Sequence, residues 1–324
     1  MDILITEELD APAIQQLCAK YDVVRDGALW KDPVKLQSAL AGARAVMVRN
    51  QTQLTAGLLA AAPRLLAIGR VGVGLDNIDM ATASKLGVVV IAPLEANATS
   101  VAELAAGFLL ALARKIPRAD RSTKAGGWDR KGCTGVELDG KTLALCGLGR
   151  IGRKVALLAR AFGMTTVVFD PYLKRTSPVL AETGATLAAT LDEALARADF
   201  VSVHSPLTPE TRRMFNQTAF ARMKPGSFFI NTSRGGIVDE AALLAALRSG
   251  HLGGAALDVR EKEPPAVKSG MEELDNVILA PHVGAFTVEA QTRTMEAVAG
   301  DLDHVLSGAP AKNFVNMARP NRKD

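Results

Sequence analysis

The feature that most constrains this chain is a set of three glycines, Gly147, Gly149 and Gly152, between an apolar stretch and a helical pattern. The residues before them, Leu143 to Cys146, are apolar and predict a short buried strand. Apolar residues then recur at helical spacing from Val155 to Phe162. A strand, a glycine turn and a helix in this order form the context in which Gly-x-Gly-x-x-Gly binds a dinucleotide.

Each glycine has a physical task in that geometry. Gly147 makes the tight turn, Gly149 lets the backbone approach a pyrophosphate, and Gly152 lets the helix pack against the strand. Arg150 and Ile151 lie in the first turn of the predicted helix, where free N–H groups and the helix dipole favour a phosphate. We therefore predict that these residues bind a dinucleotide cofactor.

The second apolar run, Thr165 to Phe169, ends at Asp170. An acidic residue at this point of a dinucleotide-binding fold bonds the ribose hydroxyls. Because a carboxylate there would repel a 2′-phosphate, Asp170 favours NAD over NADP. The alternative is a glycine-rich surface turn in which Asp170 caps a loop before Pro171.

The chain has 324 residues, of which 48% are hydrophobic and 22% are charged. Helical segments alternate along it with segments rich in Val, Ile and Leu. This pattern predicts an α/β protein of two domains. We expect two doubly wound parallel sheets: a Rossmann domain over residues 99–285 and a flavodoxin-like substrate domain over 1–98 and 286–324. The last helix, from about Thr287 to Leu306, returns the chain to the first domain. The first domain has no glycine turn after its first strand, so we assign it to the substrate.

Predicted helix starts rest on local signals. Pro12 and Pro33 suit the first turn of a helix. Ser100 to Glu103 has the spacing of a capping box and predicts that a long helix starts around Ser100.

Composition excludes several classes. No apolar run approaches the length of a membrane span, and no basic leader precedes the first strand, so we expect a cytoplasmic protein. Cys18, Cys133 and Cys146 share no ligand-like spacing, so we expect reduced thiols and no metal site. The net charge of +4 suits an anionic ligand, but aromatic residues are only 4% and basic residues are scattered, which argues against nucleic acid.

Polar residues follow three of the later predicted strands. Arg234, Glu263 and His282 each come shortly after an apolar run. Ligands in open α/β sheets lie beyond the carboxyl ends of the strands, so these side chains can converge. Each alone has an ordinary explanation: a loop salt bridge, a solvated carboxylate and a helix-entry histidine.

Together these three residues suit hydride transfer to a 2-oxo acid. Arginine binds a carboxylate with two parallel hydrogen bonds and polarises the neighbouring carbonyl. Histidine exchanges a proton near neutral pH, and an adjacent carboxylate favours its imidazolium form and fixes its tautomer. We predict Arg234, Glu263 and His282 as the catalytic residues.

The chain also resembles the D-isomer-specific 2-hydroxyacid dehydrogenase family, most closely its 3-phosphoglycerate dehydrogenase and hydroxypyruvate reductase branch. The resemblance extends over nearly the whole length and rests on Arg70 to Asp79, Gly147 to Gly152, Asn231 to Glu240, Leu257 to Pro264, and Pro281 to Gly284.

The resemblance implies roles for further residues. It implies that the N–H groups of Val73 and Gly74 bind the substrate carboxylate, and that Asp258 holds the nicotinamide carboxamide. Other cofactor contacts that it implies are His204, Pro206, Thr211, Thr232 and Gly284. It also implies a homodimer formed through the NAD-binding domain.

One segment departs from the phosphoglycerate dehydrogenase pattern. Its usual Asn-Gly-Asn run is here Glu95-Ala96-Asn97, so only Asn97 is retained for substrate binding. Glu95 would repel a nearby phosphate, whereas Arg49 and the stretch from Trp128 to Lys131 would attract one. A 3-phosphoglycerate, hydroxypyruvate/glycerate or glyoxylate type of substrate therefore remains open.

Two other functions are weighed against the dehydrogenase. The first is an NAD(H)-sensing, corepressor-like binding protein on the same scaffold, which can retain the three catalytic residues. The absence of low-complexity segments for partner docking counts against it. The second is an NAD-dependent hydrolase of related fold, whose lysine and aspartate constellation is not found here.

Overall fold

In the computed structural model, which describes residues 1–322, the chain divides into two compact units. The first comprises residues 1–97 together with the segment from residue 285 onward, and we call it the split unit. The second comprises residues 98–284, and we call it the central unit.

The split unit contains a sheet of five parallel strands in the order β2-β1-β3-β4-β5, which is the flavodoxin-like order. Its strands are β1 Ile3–Ile5, β2 Val23–Arg25, β3 Ala45–Val48, β4 Ala67–Arg70 and β5 Val89–Ile91. Its first four helices are α1 Pro12–Lys20, α2 Pro33–Ala41, α3 Ala56–Ala60 and α4 Met80–Lys85. As predicted, Pro12 and Pro33 are the first residues of their helices, where the missing N–H costs no helical hydrogen bond.

The central unit contains seven parallel strands in the order β12-β11-β10-β9-β6-β7-β8, the Rossmann order extended by one strand. Its strands are β6 Thr142–Cys146, β7 Thr165–Phe169, β8 Thr186–Leu187, β9 Phe200–Val203, β10 Phe228–Asn231, β11 Gly254–Leu257 and β12 Val277–Leu279. Its helices are α5 Ala98–Ala113, α6 Ile116–Lys124, α7 Arg150–Ala161, α8 Pro178–Thr183, α9 Leu191–Arg197, α10 Gln217–Arg222 and α11 Glu240–Arg248.

The last helix, α12 (Val288–Leu306), belongs to the split unit. Thr287 caps it by accepting a hydrogen bond from the N–H of Ala290. Val298 and Leu302 on this helix are fully buried among residues of β1, β3 and β5. The apolar stripe of α12 therefore covers one face of the five-stranded sheet.

Apolar residues of both sheets are buried on both faces, which accounts for their continuous Val/Ile/Leu/Ala character. The predicted fold class, with a Rossmann unit and a flavodoxin-like unit, is confirmed. No helix within residues 1–322 is long and apolar enough to cross a membrane.

Helix α5 begins two residues before its predicted start around Ser100. The helix begins at Ala98, and residues 94–97 form a turn that leads directly into it. Ala98 and Ser100 are both buried, so packing favours helical backbone two residues before the capping-box signal. Ser100 therefore lies inside the first turn.

Candidate active site

The glycine turn between β6 and α7 has the geometry that its sequence predicts. Gly147 has φ of 99°, a left-handed conformation that glycine adopts without strain. A Cβ on Gly152 would lie 2.3 Å from the carbonyl oxygen of Gly147, so only glycine allows this approach of helix to turn. The backbone of the turn is therefore fixed by residue type.

Gly149 differs from the other two glycines. It precedes the first residue of α7, has φ of −72°, and a Cβ placed on it would meet nothing within 4 Å. The open space beside it adjoins the N-terminus of a helix of 12 residues. This cradle fits a pyrophosphate, which is the group that the turn is predicted to bind.

Two buried polar atoms near the carboxyl ends of β9 and β10 add to this fit. The hydroxyl oxygen of Thr232 and Nδ1 of His204 are buried and have no hydrogen-bond partner within residues 1–322. The other ring nitrogen of His204 lies 2.9 Å from Oγ of Ser202. Burial lowers the pKa of His204 to about 4, so its imidazole is neutral at physiological pH.

The segment after β9 is ordered by local hydrogen bonds. Oγ1 of Thr211 donates to the carbonyl oxygen of Pro206 at 2.7 Å, and the N–H of Thr208 donates to Oγ1 of Thr211 at 2.8 Å. Thr211 thus fixes the turn that begins at Pro206. Contact of His204, Pro206 and Thr211 with the cofactor stays a prediction.

Asp170 directly follows β7 and reaches back to the glycine turn. Its Oδ2 accepts a hydrogen bond from the N–H of Leu148 at 3.0 Å, and its Oδ1 accepts one from the N–H of Tyr172 at 3.0 Å. A carboxylate has about four acceptor positions, so it retains capacity for ribose hydroxyls. Through the bond from Tyr172, Asp170 also caps the turn at Pro171, and this local role is compatible with the predicted contact to ribose.

The structure brings Glu263 and His282 together. Nδ1 of His282 lies 2.7 Å from Oε2 of Glu263, within hydrogen-bond distance. Burial raises the pKa of Glu263, but the hydrogen bonds from His282 and from the N–H of Arg260 outweigh burial and hold that pKa below its ordinary value. The resulting carboxylate fixes the imidazole tautomer and leaves Nε2 for a ligand.

Arg234 lies in the loop after β10, close enough to Glu263 to favour its ionised form electrostatically. The buried side chain of Asn231 shapes this loop by donating to the carbonyl oxygen of Arg234 and accepting from the N–H of Ser233, both at 2.9 Å. The arginine, the glutamate and the histidine therefore meet at the carboxyl edge of one sheet.

Asp258 has a structural task that sequence reasoning missed. Its carboxylate is almost fully buried and accepts hydrogen bonds from the N–H groups of Val283 and Gly284, both at 2.8 Å. Its carbonyl oxygen accepts the N–H of His282, whose φ is +56°. A Cβ on Gly284 would lie 2.9 Å from this carboxylate, so a larger residue there would displace it. Asp258 thereby holds the histidine loop, and a contact with nicotinamide stays a prediction.

In the split unit, Arg49 follows β3 and is held by three groups. Its guanidinium lies 4.3 Å from the ring centroid of Phe286, and its Nη2 donates to Oε1 of Gln291 at 2.6 Å. The buried carboxylate of Glu7 accepts the backbone N–H groups of residues 49–52. Burial lowers the pKa of Arg49, and Glu7 opposes that effect. Sequence reasoning did not find these supports because they are distant along the chain.

The other predicted substrate residues of the split unit lie in the segments after β4 and β5. The N–H groups of Val73 and Gly74 donate to no acceptor within residues 1–322. The side chain of Asn97 is buried, and its Oδ1 has no partner within the same residues. The two N–H groups retain the capacity to donate to a carboxylate, and Oδ1 of Asn97 to accept from a hydroxyl group. Contact of these groups with substrate stays a prediction.

Comparison with known proteins identifies the family. Residues 106–284 match the model of the D-isomer specific 2-hydroxyacid dehydrogenase NAD-binding domain. This chain belongs to that family. The predicted family is therefore confirmed, and the central unit contains its NAD-binding domain.

The D-3-phosphoglycerate dehydrogenase of Methanocaldococcus jannaschii is 43% identical over 97% of this chain and 59% of its own length. The chain thus spans about 59% of that curated relative. A crystal structure of a Thermus thermophilus protein is 33% identical with a TM-score of 0.89, covering 97% of this chain and 100% of the other. A glyoxylate reductase from Paecilomyes thermophila is 28% identical with a TM-score of 0.87, covering 97% and 98%.

Proposed function

We propose that this chain is an NAD-dependent oxidoreductase that interconverts a small D-2-hydroxy acid and the corresponding 2-oxo acid. The observation that carries the proposal is the 2.7 Å contact between His282 and Glu263, with Arg234 acting on the same carboxylate. This acid–base pair lies on the sheet that bears the glycine turn. Family membership supports the same reaction class.

Bound NAD(H) would supply or accept the hydride at C2 of the substrate. His282 donates a proton from Nε2 to the carbonyl oxygen in reduction and takes it back in oxidation. Glu263 holds the histidine through Nδ1 and stabilises its imidazolium form. Arg234 binds the substrate carboxylate and polarises the carbonyl.

We assign cofactor binding to the glycine turn and Asp170, and to the side chains of His204, Pro206, Thr211 and Thr232. The open space at Gly149 and the unpaired hydroxyl oxygen of Thr232 support this assignment. The carboxylate of Asp170, fixed beside the turn at Leu148, favours NAD because it would repel a 2′-phosphate.

The substrate acid is expected to be of the 3-phosphoglycerate, hydroxypyruvate/glycerate or glyoxylate type. Relatives named for 3-phosphoglycerate and for glyoxylate support this range. We assign the N–H groups of Val73 and Gly74, the buried amide of Asn97 and the guanidinium of Arg49 to binding the acid. Two of these relatives are named as a dehydrogenase and a reductase, and a corepressor-like function has no support in those names.

We further propose a cytoplasmic homodimer formed through the central unit. The unpaired thiols of Cys18, Cys133 and Cys146 suit a reducing compartment. Trp128 and Ile116 have exposed fractions of 79% and 51%, which suits a surface covered in an assembly. Sedimentation velocity tests this assignment: Trp128→Asp is expected to shift a dimer toward monomer, and a monomeric parent chain would contradict it.

The test of the function is NADH oxidation, followed by the loss of NADH absorbance, with hydroxypyruvate, glyoxylate and 3-phosphohydroxypyruvate. We expect turnover of at least one acid, with NADH preferred over NADPH because of Asp170. The order among the three acids reports the substrate class. Absence of turnover with all three and with both cofactors would contradict the proposal.

A further inference from the structure

Arg260 lies two residues after Asp258 and has an extensively bonded side chain that is only 10% exposed. Its Nε and Nη2 donate to the two carboxylate oxygens of Glu240 at 3.1 and 3.0 Å. Its Nη1 donates to Glu272 at 3.3 Å, and its Nη2 also donates to Ser269 at 3.0 Å. Two parallel hydrogen bonds between a guanidinium and a carboxylate fix both groups in orientation as well as position.

Glu240 is itself held in a regular element. It is the first residue of α11, which Asp239 caps by accepting the N–H groups of Ala241 and Ala242. Its Oε1 also accepts the backbone N–H of Glu261 at 2.7 Å. The first turn of α11 therefore holds the loop after β11 through both the side chain and the backbone.

The backbone of Arg260 is hydrogen-bonded to Glu263, the carboxylate of the acid–base pair. Its N–H donates to Oε1 of Glu263 at 2.9 Å, while Oε2 of Glu263 contacts Nδ1 of His282. A Cβ on Gly235 would lie 1.9 Å from the carbonyl carbon and oxygen of Arg260. The backbone of Arg260 thus packs against Gly235, the neighbour of Arg234. Its N–H is bonded to Glu263, the carboxylate that contacts His282.

We propose that Arg260, held by Glu240, is a positioning residue that fixes the carboxylate of Glu263 against His282. This role rests on the proposed function. Arg260 acts through Glu263 and has no part in the proton transfer. Its guanidinium anchors the loop, and the anchored backbone N–H holds one oxygen of Glu263 so that the other oxygen stays on Nδ1.

The sign of the expected pH effect follows from the charges around His282. The carboxylate of Glu263 contacts the ring of His282, and Arg234 favours the ionised form of that carboxylate. The carboxylate of Asp258 accepts a hydrogen bond from the loop that bears His282. Reduction consumes a proton that His282 supplies, so its rate falls as pH rises. If Glu263 is held less firmly, it stabilises the imidazolium form of His282 less. The fall in reduction rate then occurs at lower pH.

The experiment compares Arg260→Ala, Arg260→Lys and Glu240→Gln with the parent chain. We expect Arg260→Ala to lower kcat by about 10- to 100-fold, the scale of a misplaced catalytic group. The KM for the 2-oxo acid and the affinity for NADH should stay within about twofold of the parent values, since Arg260 is assigned no ligand contact. The alkaline limb of the pH profile should move to lower pH, and the lysine variant should recover part of the loss because it keeps the charge.

Arg213→Gln is the matched control. Nη2 of Arg213 donates to Glu261 at 2.9 Å, so the control removes an arginine–glutamate pair whose glutamate lies on the same loop as Glu263 but does not contact it. It should leave kcat within about twofold and the pH profile unchanged, as expected for an exposed ion pair. NMR titration of the His282 ring in each variant reports the same effect without turnover, which keeps the role testable if kcat is limited by another step.

Unchanged kcat, pH profile and His282 titration in folded Arg260→Ala and Glu240→Gln would overturn the positioning role while leaving the oxidoreductase function intact. A loss of kcat that merely follows a fall in melting temperature, with the pH profile and titration unmoved, would also overturn it. A parent chain that reduces none of the three acids would refute the proposed function, and this role with it.

Discussion

Removing the imidazole of His282 is expected to lower kcat/KM for 2-oxo acid reduction by about 10²- to 10⁴-fold, the usual contribution of a positioned acid–base group. The structure gives the reason: His282 is the histidine bonded to Glu263, and its Nε2 has no hydrogen-bond partner in the described chain. NADH affinity should change little, because the cofactor is assigned to the glycine turn. Steady-state kinetics and NADH fluorescence titration measure the two quantities.

The residue that replaces His282 must tolerate the left-handed backbone conformation at this position. His282 has φ of +56°, which asparagine tolerates better than alanine, so His282→Asn is the preferred variant and His282→Ala the second. His251→Ala is the matched control, since Nε2 of His251 lies 3.0 Å from the carbonyl oxygen of Phe220 and the residue is assigned no role in the site. Turnover within about twofold of the parent in both His282 variants would contradict the assigned proton transfer.

Valine in place of Gly149 is expected to weaken NADH binding at least about 100-fold, equivalent to about 2.7 kcal/mol, while leaving the fold intact. Gly149 has an ordinary φ, and a Cβ there meets no atom within 4 Å, so the chain can accept the side chain. A valine would occupy the space assigned to the pyrophosphate and block the helix N-terminus. Calorimetric titration with NADH and thermal unfolding measure both effects.

The control for this substitution is Gly57→Val in α3, where a Cβ also meets nothing within 4 Å. It should change the melting temperature only modestly, because valine and glycine differ little in helix propensity. It should leave NADH affinity unaltered, because Gly57 is assigned no cofactor contact. Parent-like affinity for NADH in the Gly149 variant would mean that the dinucleotide does not bind at this turn.

Much of the fold follows from sequence because its signals are local. Pro12 and Pro33 begin helices, Thr287 caps the last one, and three glycines make a turn whose residue types its geometry requires. The contact between His282 and Glu263 was also predictable, since parallel strands bring their carboxyl ends to one edge.

Other features depend on partners that no local pattern indicates. The start of α5 at Ala98 is decided by burial, which overrides the capping-box signal at Ser100. The buried carboxylate of Asp258 holds a loop 25 residues away, and Arg260 meets Glu240 across two elements. From sequence, an arginine three residues beyond a strand looks like an ordinary surface residue, but its side chain is bonded to the first turn of a neighbouring helix.

Direct hydride transfer to C2 of a 2-oxo acid is the step on which the proposed function depends most. The decisive measurement is reduction of hydroxypyruvate or glyoxylate with NADH that carries deuterium at C4 of the nicotinamide, on the face used by the chain. The product is then examined by mass spectrometry and chiral analysis. We expect one deuterium at C2 and, from hydroxypyruvate, glycerate of the D configuration. Product without deuterium at C2 with either labelled face, glycerate of the L configuration, or no product from any acid of the panel would contradict the proposed reaction.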